Sequence, residues 1–158
     1  MTVVLRRAEL GDVDALGELH SFCWTELYST VIPPHILAEL SPETMAGLWR
    51  RFVTRGDEYI QWVAEIDGQI VGFAGRGPGR ETGYEVATEL YFIYVHPHHR
   101  RAKIGKQLLA KADVDYLWIA EANRDSRTFY RKNKFYPDSV AREGAIFGAP
   151  LPEVRMAR

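Results

Sequence analysis

The chain has 158 residues, 46% hydrophobic and 26% charged, with a formal net charge of −1, a length expected to make one domain (1–158) with a sizeable core. The near-neutral total gives no case for nucleic-acid binding, no apolar run reaches membrane-spanning length, and the first residues lack a signal-peptide layout. The lone Cys23 excludes an internal disulfide; set between Phe22 and Trp24 it reads as a small buried hydrophobe, and a cytoplasmic setting is expected.

Val3 to Leu5 is a short apolar run, read as a first strand. Gly11-Asp12 marks a turn, with Asp12 or Asp14 as cap of a helix reaching about Tyr28. Pro33-Pro34 ends that segment, and His35 to Leu40 reads as a helical turn. Ser41-Pro42-Glu43 starts the next helix, whose apolar face carries Met45, Leu48, Trp49 and Phe52. Tyr59 to Ile66 and Gln69 to Gly75 form a hairpin around Asp67-Gly68. After a Gly-rich loop, Glu85 to Val95 is a strand that His96-Pro97 stops.

A basic loop, His98 to Lys103, leads into a helix from Ile104 with Leu108 and Leu109 at helical spacing. Asp113 to Asp115 cuts that helix short. Tyr116 to Ala120 reads as a strand, Asp125 or Ser126 as cap of a helix carrying Phe129 and Tyr130, and Asn133 as its left-handed end. Phe135 to Val140, Ile146-Phe147 and Val154 to Met156 read as short closing strands.

The strand, basic loop and helix around residues 89–109 form a unit suited to a phosphate: the first N–H groups of a helix lack partners and sit at the positive end of its dipole. Gly105 allows close approach, and Arg100, Arg101, Lys103 and Lys106 add charge. The run R-x-x-K-x-G, Arg100 to Gly105, resembles the acetyl-CoA pyrophosphate loop of the GNAT (Gcn5-related) N-acetyltransferases, usually written Q/R-x-x-G-x-G/A; Lys103 stands where the family has its first Gly. Leu117 to Asp138 resembles the family's later motif, with Asn123 and Tyr130 on motif positions and Lys134 in place of a helix-ending Gly.

The resemblance implies an α/β fold of the GNAT type: a mixed, mostly antiparallel sheet of six to seven strands with helices on both faces, splayed between strands 4 and 5. It implies acetyl-CoA as cosubstrate, held by Ile93, Tyr94, Val95, Arg100, Arg101, Ala102, Lys103, Ile104, Gly105, Lys106, Asn123 and Tyr130. Glu89, eleven residues before Arg100, matches the offset of a catalytic base in one branch of the family. Tyr130 is the implied acid for the thiolate, and the Val95 N–H the implied oxyanion donor.

On the acceptor side, Trp24 and Tyr28 share a helix face and could form an aromatic groove for a cationic amine. The acceptor is expected to be a small-molecule or peptide amine, with a loose likeness to the polyamine and ribosomal-alanine subgroups. Many family members are dimers, so a homodimer is one expectation. His96, His98 and His99 have basic neighbours and read as a loop end, so no metal is expected. Two rivals stay open: a CoA-binding sensor without turnover, and a nucleotide-binding module resting on the basic loop alone.

Overall fold

Ile60–Ile66 (β2) and Gln69–Pro78 (β3) fold back on one another around Asp67 and Gly68, whose φ of 50° and 80° are those a two-residue hairpin turn requires. In this computed structural model, which describes residues 1–158, Val4–Arg7 (β1) adds to β2 and Thr88–Val95 (β4) to β3, all antiparallel. Tyr116–Ala120 (β5) joins β4 in parallel, and a hairpin of Tyr136–Ile146 (β6) and Ala149–Ala157 (β7) completes one seven-stranded sheet ordered β1-β2-β3-β4-β5-β7-β6. The sheet is therefore mixed and mostly antiparallel, as the resemblance implies.

Neighbouring strand residues point to opposite faces. Val63 and Phe73 pack with Leu16, Leu19, Cys23 and Trp49 from Val13–Tyr28 (α1) and Pro42–Thr54 (α3). Their neighbours Ala64 and Ala74 pack with Ile104, Leu108 and Leu109 from Ile104–Ala112 (α4) and with Tyr130 from Arg124–Lys132 (α5). Each large apolar side chain so buried contributes about 2 kcal/mol. A third cluster joins Tyr28 and Ile32, at the corner between α1 and Pro34–Glu39 (α2), to Ala149 and Leu151 of β7. Gly17 lets α1 and α3 touch through their backbones: a Cβ there would lie 2.5 Å from the Pro42 carbonyl oxygen.

Ser41 caps α3 as its sequence suggests, accepting from the Thr44 N–H, and α4 has only nine residues. Other boundaries differ. Asp12 does not cap α1 through its side chain but binds Arg6 and the Glu9 N–H. Asn123, not Asp125 or Ser126, caps α5, and Lys134 rather than Asn133 takes the left-handed conformation after it. Residues 85–87 belong to turns closed by Tyr84 and Ala87, so β4 starts at Thr88. β6 is one long strand; as an exposed edge it carries polar residues and a proline, which hide it from an apolar-run reading.

His20 is buried among Phe73, Phe92 and Tyr94. Its Nε2 accepts from Trp24 Nε1–H at 2.9 Å, and its Nδ1 lies 3.1 Å from Trp49 Nε1. Indoles only donate, so the ring is neutral and can satisfy one of the two. Burial pushes its pKa from 6.5 down to about 3. Below pH 6.5 the unfolded chain therefore takes up a proton that the folded chain refuses. The stability present above that pH falls by about 1.4 kcal/mol per pH unit until the folded pKa is reached. Denaturant midpoints measured between pH 7 and pH 4 should show this slope, and His20→Gln should flatten it; an equal slope in the variant would assign the acid sensitivity elsewhere.

Candidate active site

β4 and β5 pair at two positions only, Glu89 with Tyr116 and Leu90 with Leu117. The next residue, Tyr91, is the extra residue of a bulge, because Arg76 faces Leu90 while Gly75 faces Phe92. A bulge bends its own strand, and this one lies immediately after the last pair, so the strands diverge. The His96 N–H donates to the Val71 carbonyl at 2.8 Å. Antiparallel alternation then gives Tyr94 and Phe92 to β3 and leaves the main-chain groups of Ile93 and Val95 facing the gap. The Val95 carbonyl accepts from Arg100 Nε at 3.2 Å.

The gap runs into the basic loop. His96 accepts the His98 N–H and opens a 3₁₀ turn, Pro97–Ala102, and Lys103 bends the chain into α4 with φ 61° and ψ 17°. This is the left-handed conformation that glycine adopts without cost, which explains a family Gly at this point. No side chain caps α4, so its first-turn N–H groups face outward with the dipole behind them. At the other end, Asp113 is also left-handed and Arg76 Nη1 donates to the Ala112 and Asp113 carbonyls, which fixes the short helix. Arg100 is tied to Glu26 of α1 at 2.7 Å.

Together these elements enclose a cleft of about 490 Å³. It gathers Ile93, Tyr94, Val95, Arg100, Arg101, Lys103, Gly105, Lys106, Asn123 and Tyr130. Ala102 and Ile104 do not line it: Ile104 is fully buried and Ala102 packs on the same core, so any contact they make with a ligand is through the main chain. Sequence reasoning missed Leu27, Asp125, Ser126, Phe129, Lys132 and Asn133 on the cleft wall. The helical spacing of Phe129 from Ser126, and of Asn133 from Phe129, was the signal available.

A second cavity of about 90 Å³ adjoins the cleft, sharing Ile93, Tyr94, Asn123, Ser126 and Tyr130 with it. Trp24 and Tyr28 line it, their rings 4.5 Å apart. Asn123 Nδ2 lies 3.5 Å from the Tyr28 hydroxyl. Burial raises the pKa of Tyr130 and, well above the usual phenol value, that of Tyr94, with the Tyr28 phenol adding to both. All three hydroxyls thus stay protonated at neutral pH. Burial also pushes the Cys23 thiol up to about 12, which leaves it inert as a nucleophile.

Glu89 lines neither cavity. It is fully buried where β4 and β5 still pair. Its Oε2 accepts from the Arg80 N–H and the Tyr116 hydroxyl, both at 3.0 Å, and its Oε1 from Arg80 Nη2 at 2.6 Å. Six residues of strand, about 20 Å, separate it from Val95. The structure therefore brings Tyr130, Asn123, Trp24 and Tyr28 together and leaves Glu89 apart from them.

Residues 57–137 match the family model described as an acetyltransferase (GNAT) domain. The chain is 30% identical over 164 residues to the uncharacterized N-acetyltransferase YuaI of Bacillus subtilis strain 168, covering 96% of this chain and 90% of that protein. The PaiA N-acetyltransferase of Thermoplasma acidophilum, solved in complex with coenzyme A, has the same fold, with TM-score 0.73 at 20% identity over all of both chains. A ribosomal-protein-alanine N-acetyltransferase of Brucella melitensis gives TM-score 0.69 at 26% identity over 98% of each chain.

The loop geometry makes a stability prediction. Lys103→Gly should stabilise the ligand-free protein by roughly 1 kcal/mol through relief of the left-handed backbone, read as a higher denaturation midpoint. A lower midpoint would show that the lysine side chain contributes more than its backbone conformation costs.

Proposed function

The chain belongs to the GNAT acetyltransferase family, and we propose that it moves an acetyl group from acetyl-CoA to a primary amine by direct attack within a ternary complex. The observation that carries this reading is the gap between β4 and β5, continuous with the basic start of α4. Its chemistry fits acetyl-CoA from end to end. Arg101, Lys103 and Lys106 lie at or beside a helix N-terminus and Lys132 lines the same cleft, which suits a pyrophosphate and a further phosphate. The gap-facing main-chain groups of Ile93 suit an amide of an extended arm, as an added strand would. The apolar wall of Ile93, Val95 and Phe129 suits its methylene parts.

Bound there, acetyl-CoA would supply a thioester whose acetyl carbon the acceptor nitrogen attacks once its ammonium has lost a proton to water, with no covalent enzyme intermediate, because both partners are held in one site. The new C–N bond is kept and the C–S bond breaks as the tetrahedral intermediate collapses; the nitrogen's second proton also leaves to water, from which Tyr130 regains the one it gives to sulfur. The Val95 N–H, facing the gap, is our donor to the oxyanion. Tyr130 is our proton donor to the departing sulfur: it lines both cavities and stays protonated. Asn123 holds the arm or the amine through its amide, and Trp24 and Tyr28 wall the acceptor side. The acceptor is a small amine, a polyamine or a protein N-terminus, and the setting is cytoplasmic. Glu89, enclosed by Arg80 and Tyr116, is assigned to holding the closed end of the gap.

The test is thiol release from acetyl-CoA with purified protein and a broad panel of primary amines. Amine-dependent release is expected; cofactor binding without it would support a sensor domain, and no binding would remove the reading. Tyr130→Phe should lower turnover by roughly a hundredfold or more while leaving acetyl-CoA affinity nearly unchanged. Lost affinity with intact turnover would exclude the proton-donor role. Lys103→Gly should weaken acetyl-CoA binding through loss of a phosphate-facing charge, and tighter binding would mean that the side chain crowds the ligand.

A further inference from the structure

The smaller cavity has one charged residue in its lining, Glu153 of β7. Half of the other lining residues are aromatic, Trp24, Tyr28, Tyr91, Phe92 and Trp118 among them. Glu153 sits opposite Ala120, at the end of β5 that leads to Asn123. Arg142 Nε holds its Oε1 at 3.0 Å, while Oε2 makes no hydrogen bond within the chain. Burial raises the pKa of the Tyr28 phenol, and the Glu153 carboxylate adds a smaller push in the same direction.

Other carboxylates around the cavity are engaged elsewhere. Glu89 is enclosed by Arg80 and Tyr116, and Glu81 is bound by the Trp118 indole and Arg155. The far side is closed as well: Tyr28 and Leu151, which line the cavity, are packed against Ile32 and Ala149.

We propose that Glu153 binds the ammonium group of the acceptor, and that the acceptor is a compact primary monoamine with an aromatic or branched apolar body. The proposal rests on the acetyltransferase reading above and narrows it. The Glu153 oxygen that Arg142 leaves without a partner, set among aromatic rings, suits one further cation and an apolar body. A second ammonium, as in a polyamine, would be desolvated against aromatic walls with no carboxylate to meet it. A polypeptide would have to part the cluster that joins the α1–α2 corner to β7. At about 90 Å³ the cavity takes the amine end of such a body, the remainder lying at its junction with the cleft.

The experiment compares 2-phenylethylamine, spermidine and a peptide with an N-terminal alanine as acceptors for the wild type, Glu153→Gln and Glu153→Asp, with acetyl-CoA affinity measured by calorimetry. The expected result is a kcat/KM for 2-phenylethylamine about tenfold or more above the other two, and a rise of about tenfold in its KM for Glu153→Gln. Acetyl-CoA affinity should stay nearly unchanged, and Glu153→Asp should recover part of the loss. Spermidine or the peptide equalling or exceeding 2-phenylethylamine would overturn the proposal. So would an unaltered KM, or a Glu153→Gln variant that loses acetyl-CoA affinity to the same degree, which a cross-strand partner of Arg142 would do. If the wild type binds no acetyl-CoA, the acetyltransferase reading itself fails; if it binds acetyl-CoA and prefers another acceptor, only the narrowing fails.

Discussion

One extra residue in β4 separates a continuous sheet from a sheet with a slot in it. Tyr91 is that residue, and it is held from several directions. Its hydroxyl donates to the Pro78 carbonyl at 2.6 Å, and the Arg80 guanidinium lies 4.2 Å over its ring. Arg80 also binds Glu89, the residue of β4 that pairs with Tyr116 of β5. The same arginine thus spans a paired residue of β4 and the bulged residue at which the strands part. A cation over an aromatic ring contributes about 1 kcal/mol, and the Glu89 carboxylate, fully buried, would be costly without its donors. The buried glutamate ties the paired end of β4 to Tyr116 of β5 and to Arg80, next to the bulge where the sheet opens.

The remainder of β4 owes its availability to that opening. The gap exposes main-chain groups that a complete sheet would have consumed, and a sheet edge inside a protein suits an extended ligand better than it suits water. The left-handed Lys103 turns the chain so that α4 begins at the mouth of the gap. Its backbone conformation is unfavourable for a lysine, but its charge sits where phosphates would lie. Arg100 is shared between Glu26 and the Val95 carbonyl, which fixes the loop against both α1 and β4. The Tyr94 and Tyr130 phenols and Asn123 then stand where the large cleft and the small cavity meet, as acyl transfer between two bound partners requires.

Much of this was legible from local sequence. The strand stopped by His96-Pro97, the cluster of cations, Gly105 and the apolar spacing after it are contiguous, and they yield strand, loop and helix without knowledge of the rest of the chain. Asn123 and Tyr130 were legible from a second contiguous motif. The bulge at Tyr91 was not, because register belongs to a pair of strands and neither strand alone records it. Glu89 looked like a base because its offset from Arg100 is visible in sequence, whereas its enclosure by Arg80 and Tyr116 depends on a loop and a strand from elsewhere. Glu153 gave no signal: it lies in a polar, Pro-containing hairpin whose length the apolar runs understate, and only the pairing of β5 with β7 carries it to the cavity.

The central claim is that the free main chain of β4 beyond Tyr91 is where acetyl-CoA binds. Amide hydrogen exchange of Ile93 and Val95, followed by NMR with and without acetyl-CoA, tests it most directly. The account predicts that both amides exchange quickly in the free protein and become protected on binding, while those of Phe92 and Tyr94, bonded to β3, are protected throughout. Ile93 and Val95 amides already protected in the free protein, or unchanged by acetyl-CoA, would contradict it.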